Sequence, residues 1–230
     1  DITLLWNARP QPFARTDVQR LRSGELVYTG VRRTPVMALA PLEAPELVPD
    51  DPAVPIMAEL FATSADVYVM LADLPEEPDN CDTADGRPLT HDAAAVRLLR
   101  MMGTDSGQFG QRVNVASVDG ELSLAGSKRA INKPAHEGAM ALAIGCARRQ
   151  EQIIGDGVRK LLHRMSEIMR DQARLPDRVI VSGSGAFLAR RAAERALPAR
   201  PIETLADQIG AEASVAACAW ALLHLWREQA

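Results

Sequence analysis

Three short stretches of this chain gather the residue types that handle charged groups. In SGELVYTGVRRTP, residues 23 to 35, Glu25, Tyr28, Thr29, Gly30, Arg32, Arg33 and Thr34 stand close together. Paired guanidinium forks beside Thr and Gly suit a phosphate or diphosphate, because the fork geometry matches two phosphate oxygens. A solvated basic edge uses the same residues. In FATSADVY, residues 61 to 68, Thr63, Ser64 and Asp66 crowd one turn. They suit Mg²⁺ or a ligand hydroxyl, and equally a set of local Asx and Ser/Thr caps. In CDTADGRPLT, residues 81 to 90, Asp82, Asp85 and Arg87 share one loop. Carboxylates there suit a hard cation paired with a phosphate, although the spacing is not that of an EF-hand and a plain surface turn reads the same way.

A fourth stretch, VIVSGSGAFLARRA from Val179 to Ala192, has a geometry rather than a charge. An apolar strand-like run enters Ser182-Gly183-Ser184-Gly185, and a helical pattern with Phe187 and Leu188 on its apolar face follows at once. Strand, small-residue turn, helix brings backbone N–H groups and a helix N-terminus to an anion or a nucleotide. A plain strand–helix junction has the same signature. His91, His136, His163 and His224 are scattered without zinc-site spacing, and neither a Walker A loop nor Gly-x-Ser-x-Gly occurs.

The elements that must hold these residues alternate between strand and helix. Residues 1 to 15 read as a hairpin turning at Asn-Ala-Arg-Pro, and residues 16 to 23 as a helix capped by Thr16 or Asp17. Leu26 to Tyr28 and Val36 to Ala40 are β-rich. Five prolines make residues 41 to 55 irregular. A short helix from Ile56 and a strand from Val67 to Leu71 come next, then a polar loop to Thr90. A helix starting at Thr90 or Asp92 closes at Gly103. Residues 104 to 133 are Gly-, Ser- and Asn-rich, with a hairpin turn expected at Asp119-Gly120. A helix over about 135 to 172 bends near Gly155 and Gly157. Pro201 to Ala206 is strand-like, and a last helix runs from Ala211 to Glu228.

Composition bounds the partners. The chain has 230 residues, a net charge of −4 and 4% aromatic residues. An acidic chain poor in stacking residues argues against nucleic acid. No apolar run approaches the ~18 residues of a membrane span, and the start lacks the basic and apolar segments of a signal peptide. Cys81, Cys146 and Cys218 lack CxxC spacing; a reducing cytoplasm is expected, with Cys146 and Cys218 as buried thiols.

Together, DITLL, RLRSGELVYTGVRRTPV, ELFATSADVYVMLADLPE, DTADGRPLTHDAAAVRLLRMMG, VIVSGSGAFLARRA and IGAEASVAACAWALL resemble one family. It is the hydantoinase/oxoprolinase-like proteins linked to tetrahydromethanopterin and methanofuran one-carbon metabolism. The resemblance covers residues 1 to 103 and 176 to 230 and omits the stretch from 104 to 134, which reads as an atypical insertion. It implies an α/β fold of the actin/sugar-kinase/Hsp70 (ribonuclease H-like) type, two lobes around a cleft. Residues 1 to 230 would then be one incomplete two-lobe unit, with a first lobe expected before Asp1 and Asp1 itself following a phosphate loop.

The resemblance also implies chemistry: a furanylmethyl diphosphate condensed with the phenol of a γ-glutamyltyramine-like acceptor, releasing diphosphate. Arg32 would assist catalysis, with Glu25 or Asp66 as base and Mg²⁺ held by Asp66 and Asp85. Asp1, Thr29, Gly30, Arg33, Thr34, Arg87 and the turn Ser182, Gly183, Ser184, Gly185 would bind phosphate or nucleotide. An ATP-dependent ligase, kinase or amidohydrolase, or a non-catalytic nucleotide-binding subunit, are the alternatives on the same fold. Small molecules are the expected partners, with self-association into a homodimer compatible.

Overall fold

A computed structural model describes residues 1–7, 9–39, 56–103, 133–170 and 175–229 of the chain. It divides into two compact units, one of residues 1–31 and 150–230, the other of residues 32–149. Helices dominate both, and the sheets among the described residues are two-stranded. None of the described helices is long and apolar enough to cross a membrane.

The first unit opens with the expected hairpin, β1 (Leu5–Trp6) against β2 (Arg9–Pro10). Helix α1 (Asp17–Ser23) follows. Thr16 caps it: its Oγ1 accepts from the Gln19 N–H, and Gln19 Oε1 accepts in return from the Thr16 N–H. Gly24 ends α1 at φ +87°, a left-handed conformation that suits glycine. The Leu26 N–H then donates back to the Arg20 carbonyl. That bond occupies a donor a strand would need, so Leu26 to Tyr28 is not the strand its β-rich residues suggest, and Tyr28 is exposed. Ile2, Leu4 and Phe13 pack on Leu161, Leu162, Met165 and Met169 to form this unit's apolar cluster.

The long helix α4 (Lys133–Met169) agrees with the expected span. Strand β3 (Val179–Val181), helix α5 (Ala186–Ala196) and strand β4 (Ile202–Thr204) form a βαβ unit. β3 and β4 pair in parallel, Ile180 opposite Glu203. Arg190 on α5 donates to the Ile202 carbonyl and to Thr204 Oγ1, tying the crossover helix to β4. The final helix is interrupted. α6 (Leu205–Ile209) and α7 (Ala211–Val215) precede α8 (Ala217–Gln229), with Ala216 at ψ 29° breaking the run. Cys218 is consequently exposed, not buried, whereas Cys146 is buried and its thiol pushed up to about 12 by desolvation.

In the second unit, helix α2 (Ser64–Met70) packs on α3 (His91–Met101). The expected strand from Val67 to Leu71 is therefore helical. All seven residues of α2 are buried, so the segment has no polar face to reveal a helical period. Thr90 caps α3 through Oγ1, as its position suggested. Val36–Ala38 is a 3-10 turn after Pro35 rather than a strand; among the described residues the pairing at this point is the isolated bridge of Pro35 to Thr63. The short helix expected from Ile56 does not form; the Met57 N–H donates instead to the Met101 carbonyl. The prolines of residues 41 to 55 and the hairpin at Asp119-Gly120 lie outside the described residues.

Candidate functional site

In the second unit the Arg32–Thr34 end of the first charged stretch converges with the other two. Thr63 precedes α2, and its N–H donates to Asp66 Oδ2 at 2.9 Å. The Thr34 N–H donates to Ser64 Oγ and the Ser64 N–H to the Thr34 carbonyl, so the Arg32–Thr34 strip lies along the start of α2. Arg97, on the apolar face of α3, reaches Asp66 from the other side. Its Nε donates to Asp66 Oδ1 at 2.8 Å, and Nη2 lies 2.7 Å from the same oxygen. Arg97 Nη1 donates to Asp85 Oδ1 at 2.9 Å, and Arg100 Nη1 to Asp85 Oδ2 at 3.0 Å. The Arg87 N–H also donates to Asp85 Oδ1. One buried guanidinium thus joins the turn at Thr63 to the loop at Asp85.

Glu77 makes the second joint. Arg32 grips it with both terminal nitrogens, Nη2 to Oε1 at 2.6 Å and Nη1 to Oε2 at 3.1 Å. Asn80 Nδ2 donates to Oε2. The Glu77 N–H donates to the Leu89 carbonyl, holding the loop from 81 to 90 to the same frame. Gly86, at φ +69° with open space about its α-carbon, turns that loop. Thr83 Oγ1 donates to the Arg87 carbonyl.

The electrostatics follow from this geometry. The Arg32 and Asn80 hydrogen bonds hold the Glu77 carboxyl below the usual range. Burial pushes Asp85 upward, but the hydrogen bonds from Arg97 and the Arg87 backbone, with the charges of both arginines, outweigh it and the net shift is down. At Asp66 burial prevails over Arg97 and Thr63, and the carboxyl is raised.

Each oxygen of Asp66 and Asp85 accepts from a guanidinium or a backbone N–H. A hard cation needs carboxylate oxygens facing an open centre. The two aspartates do not provide that set, and among the described residues no group of three or more His, Cys, Asp or Glu is arranged to hold a metal. Asp82 is exposed, and its backbone N–H donates to Asn80 Oδ1. Arg33 and Arg87 are exposed. Among the described residues the acid beside Arg87 is Asp85, at 3.8 Å.

The remaining candidates lie in the first unit. Gln150 on α4, fully buried, donates Nε2 to Thr29 Oγ1 at 2.6 Å and to the Gly30 carbonyl at 2.7 Å. Val31, the next residue, sits against Gly185: a Cβ placed there would come 3.2 Å from Val31 Cγ1. Two glycine turns 155 positions apart in sequence, Gly30 and Gly185, are thereby neighbours. Gly183 has φ +86° with open space around it, and its N–H donates to Ser214 Oγ at 3.4 Å.

Glu25 is buried, with Oε1 accepting from the Phe13 N–H and Oε2 from Ser23 Oγ at 2.6 Å. Both oxygens secure the N-terminal hairpin to the end of α1. Asp1 pairs with Arg20 at 2.9 Å. Arg97, Glu77 and Gln150 were missed by sequence reasoning. The Arg97 signal was available: an arginine on the apolar stripe of HDAAAVRLL requires a buried carboxylate.

No protein-family model matches the chain. Over 104 residues, 44% of its length, it is 29% identical to the (4-{4-[2-(gamma-L-glutamylamino)ethyl]phenoxymethyl}furan-2-yl)methanamine synthase of Methanococcus vannielii. That stretch spans 45% of the relative. Over 92 residues, 40% of its length, it is 35% identical to a synthase of the same name from Methanocaldococcus jannaschii, spanning 26% of that protein. The matches thus cover less than half of either relative.

Proposed function

We propose that this chain belongs to a transferase of methanofuran-type cofactor biosynthesis, joining a furanylmethyl diphosphate to a γ-glutamyltyramine-like phenol. The observation that carries this reading is the pair of local similarities to synthases named for that ether product. In the proposed reaction the phenol oxygen forms a bond to the furanylmethyl carbon. The carbon–oxygen bond to diphosphate breaks, and the phenol proton leaves to a base or to solvent.

Departure of diphosphate calls for cations aimed at its developing charge. Arg33 and Arg87 are the exposed guanidiniums of the convergent frame and take that role. Arg32, locked on Glu77, and Arg97, locked on Asp66 and Asp85, hold the frame. Glu25 and Asp66 already spend both oxygens on neighbours, so neither is assigned the base, and no step is routed through a metal. The βαβ unit from Val179 to Thr204 is compatible with an actin/sugar-kinase-like lobe, and that fold is part of the proposal.

The test is direct. Purified protein is incubated with the furanylmethyl diphosphate and γ-glutamyltyramine, and ether product and free diphosphate are measured by mass spectrometry and phosphate assay. Equimolar ether and diphosphate are expected; a folded protein that forms neither overturns the reading. The same assay with ATP added addresses the nucleotide-dependent alternative, which the adjoining Gly30 and Gly185 turns favour. Product that appears only with ATP, together with ADP release, would select it.

A further inference from the structure

A groove of about 700 Å³ opens in the first unit, well inside the ~300–1,000 Å³ of small-molecule sites. The loop Phe13–Arg15 and helix α1 form one wall. The other is a single stripe of α4: Lys160, His163, Arg164 and Glu167, spaced i, i+3, i+4 and i+7. The walls meet where Gly24, the end of α1, lies against Gly157 and Lys160 Cβ. Phe13 packs on the Leu4, Leu161 and Met165 cluster, so the groove has a fixed apolar footing.

Its charge is opposite to that of the chain. The protein carries −4 overall, yet Arg15, Arg22, Lys160 and Arg164 line this groove against one carboxylate, Glu167. Glu167 is occupied by Arg164 at 3.2 Å and His163 at 3.5 Å. Arg15, Arg22 and Lys160 have no acidic partner within 4.0 Å among the described residues. Three cations without an acidic partner among the described residues, gathered in one concavity, repel one another and concentrate anions. Two arginines present forks that grip adjacent phosphate oxygens, while a lysine adds a point charge.

We infer that this groove is a binding site for a diphosphate-bearing small molecule, held by Arg15, Arg22 and Lys160. The inference does not rest on the proposed transferase reaction, since it concerns equilibrium binding and is tested without turnover. A diphosphate places two adjacent anionic groups where separate cations can each take one; an orthophosphate engages fewer of them.

Inorganic pyrophosphate is the probe, and the imidazole NMR signal of His163, assigned with His163→Gln, is the local readout. Pyrophosphate is expected to shift that signal saturably, and orthophosphate to bind about tenfold more weakly. Arg22→Glu with Lys160→Glu should weaken pyrophosphate binding by about tenfold or more. The neutral pair Arg22→Gln with Lys160→Gln should weaken it less, and Glu167→Gln should tighten it. These positions are exposed, so an unchanged thermal melt certifies the fold of each variant. A His163 signal that ignores pyrophosphate, or an affinity the folded double variants leave unchanged, overturns the assignment. Equal binding of citrate would overturn the diphosphate class.

Discussion

Arg97 and Asp66 meet in the interior of the second unit, Nε to Oδ1 at 2.8 Å, with side chains 0% and 1% exposed. The pair joins α3 to the start of α2, and the other arm of Arg97 reaches Asp85. A buried ion pair is weak evidence of net stability, but removing one member leaves an uncompensated charge. Arg97→Met leaves the buried Asp66 without its guanidinium, while Asp85 keeps Arg100 and the Arg87 N–H, and should cost about 3–5 kcal/mol in urea unfolding. Arg100→Met removes only the half-exposed contact to Asp85 and should cost about 1 kcal/mol or less. Comparable losses from the two variants would contradict a central role for Arg97.

The carboxylates of this frame give opposite pH dependences. Glu77 and Asp85 are lowered, so their stabilisation is present above their unfolded-state values and fades as pH falls through the lowered ones. Asp66 is raised, and its contribution is largest below the unfolded value and is lost as pH rises through the raised one. Glu77→Gln should therefore flatten the acid limb of the stability curve below pH 4.5, the ordinary value of that carboxyl. Denaturant midpoints measured through that range check it; an acid limb as steep as that of the parent protein would count against the Arg32–Glu77 grip.

Gly24 and Gly157 approach closely enough that a side chain on either has no room. A Cβ on Gly24, already at φ +87°, points at the Gly157 carbonyl oxygen, and a Cβ on Gly157 would come 2.7 Å from Val27 Cγ2. Gly24→Ala should cost about 1–3 kcal/mol, combining strain and overlap. Gly86→Ala, strained at φ +69° but surrounded by open space, should cost less. Thermal melts of the two variants separate the overlap from the strain.

Gln150→Ala removes the two hydrogen bonds that fix Thr29 and Gly30 and should destabilise by about 1–3 kcal/mol. Amide hydrogen exchange should rise at Thr29 to Val31 and at the neighbouring Gly185. Unchanged protection there would mean that α4 does not hold the two turns together.

Much of this was legible where local chemistry decides the structure. Thr16 and Thr90 announced their helices because a hydroxyl at an N-cap satisfies a backbone donor that would otherwise lack a partner. VIV followed by SGSG fixed the turn between β3 and α5. Leu26 to Tyr28 misled because β propensity without a partner strand yields to the bond that Gly24 permits back to Arg20. α2 misled because complete burial erases its periodicity, although Thr63 followed three residues later by Asp66 is the spacing of a capping box. Glu77 and Gln150 were invisible for another reason. Their partners, Arg32 and Thr29, lie 45 and 121 residues away in sequence.

The proposed transferase is tested most directly by product formation. Purified protein, given the furanylmethyl diphosphate and γ-glutamyltyramine, should yield the phenyl ether and an equal amount of diphosphate. Arg33→Ala and Arg87→Ala should each lower kcat/KM by about tenfold or more while leaving the melting temperature in place. Absence of ether from a folded protein, or full turnover in the Arg33→Ala/Arg87→Ala double variant, would contradict the account.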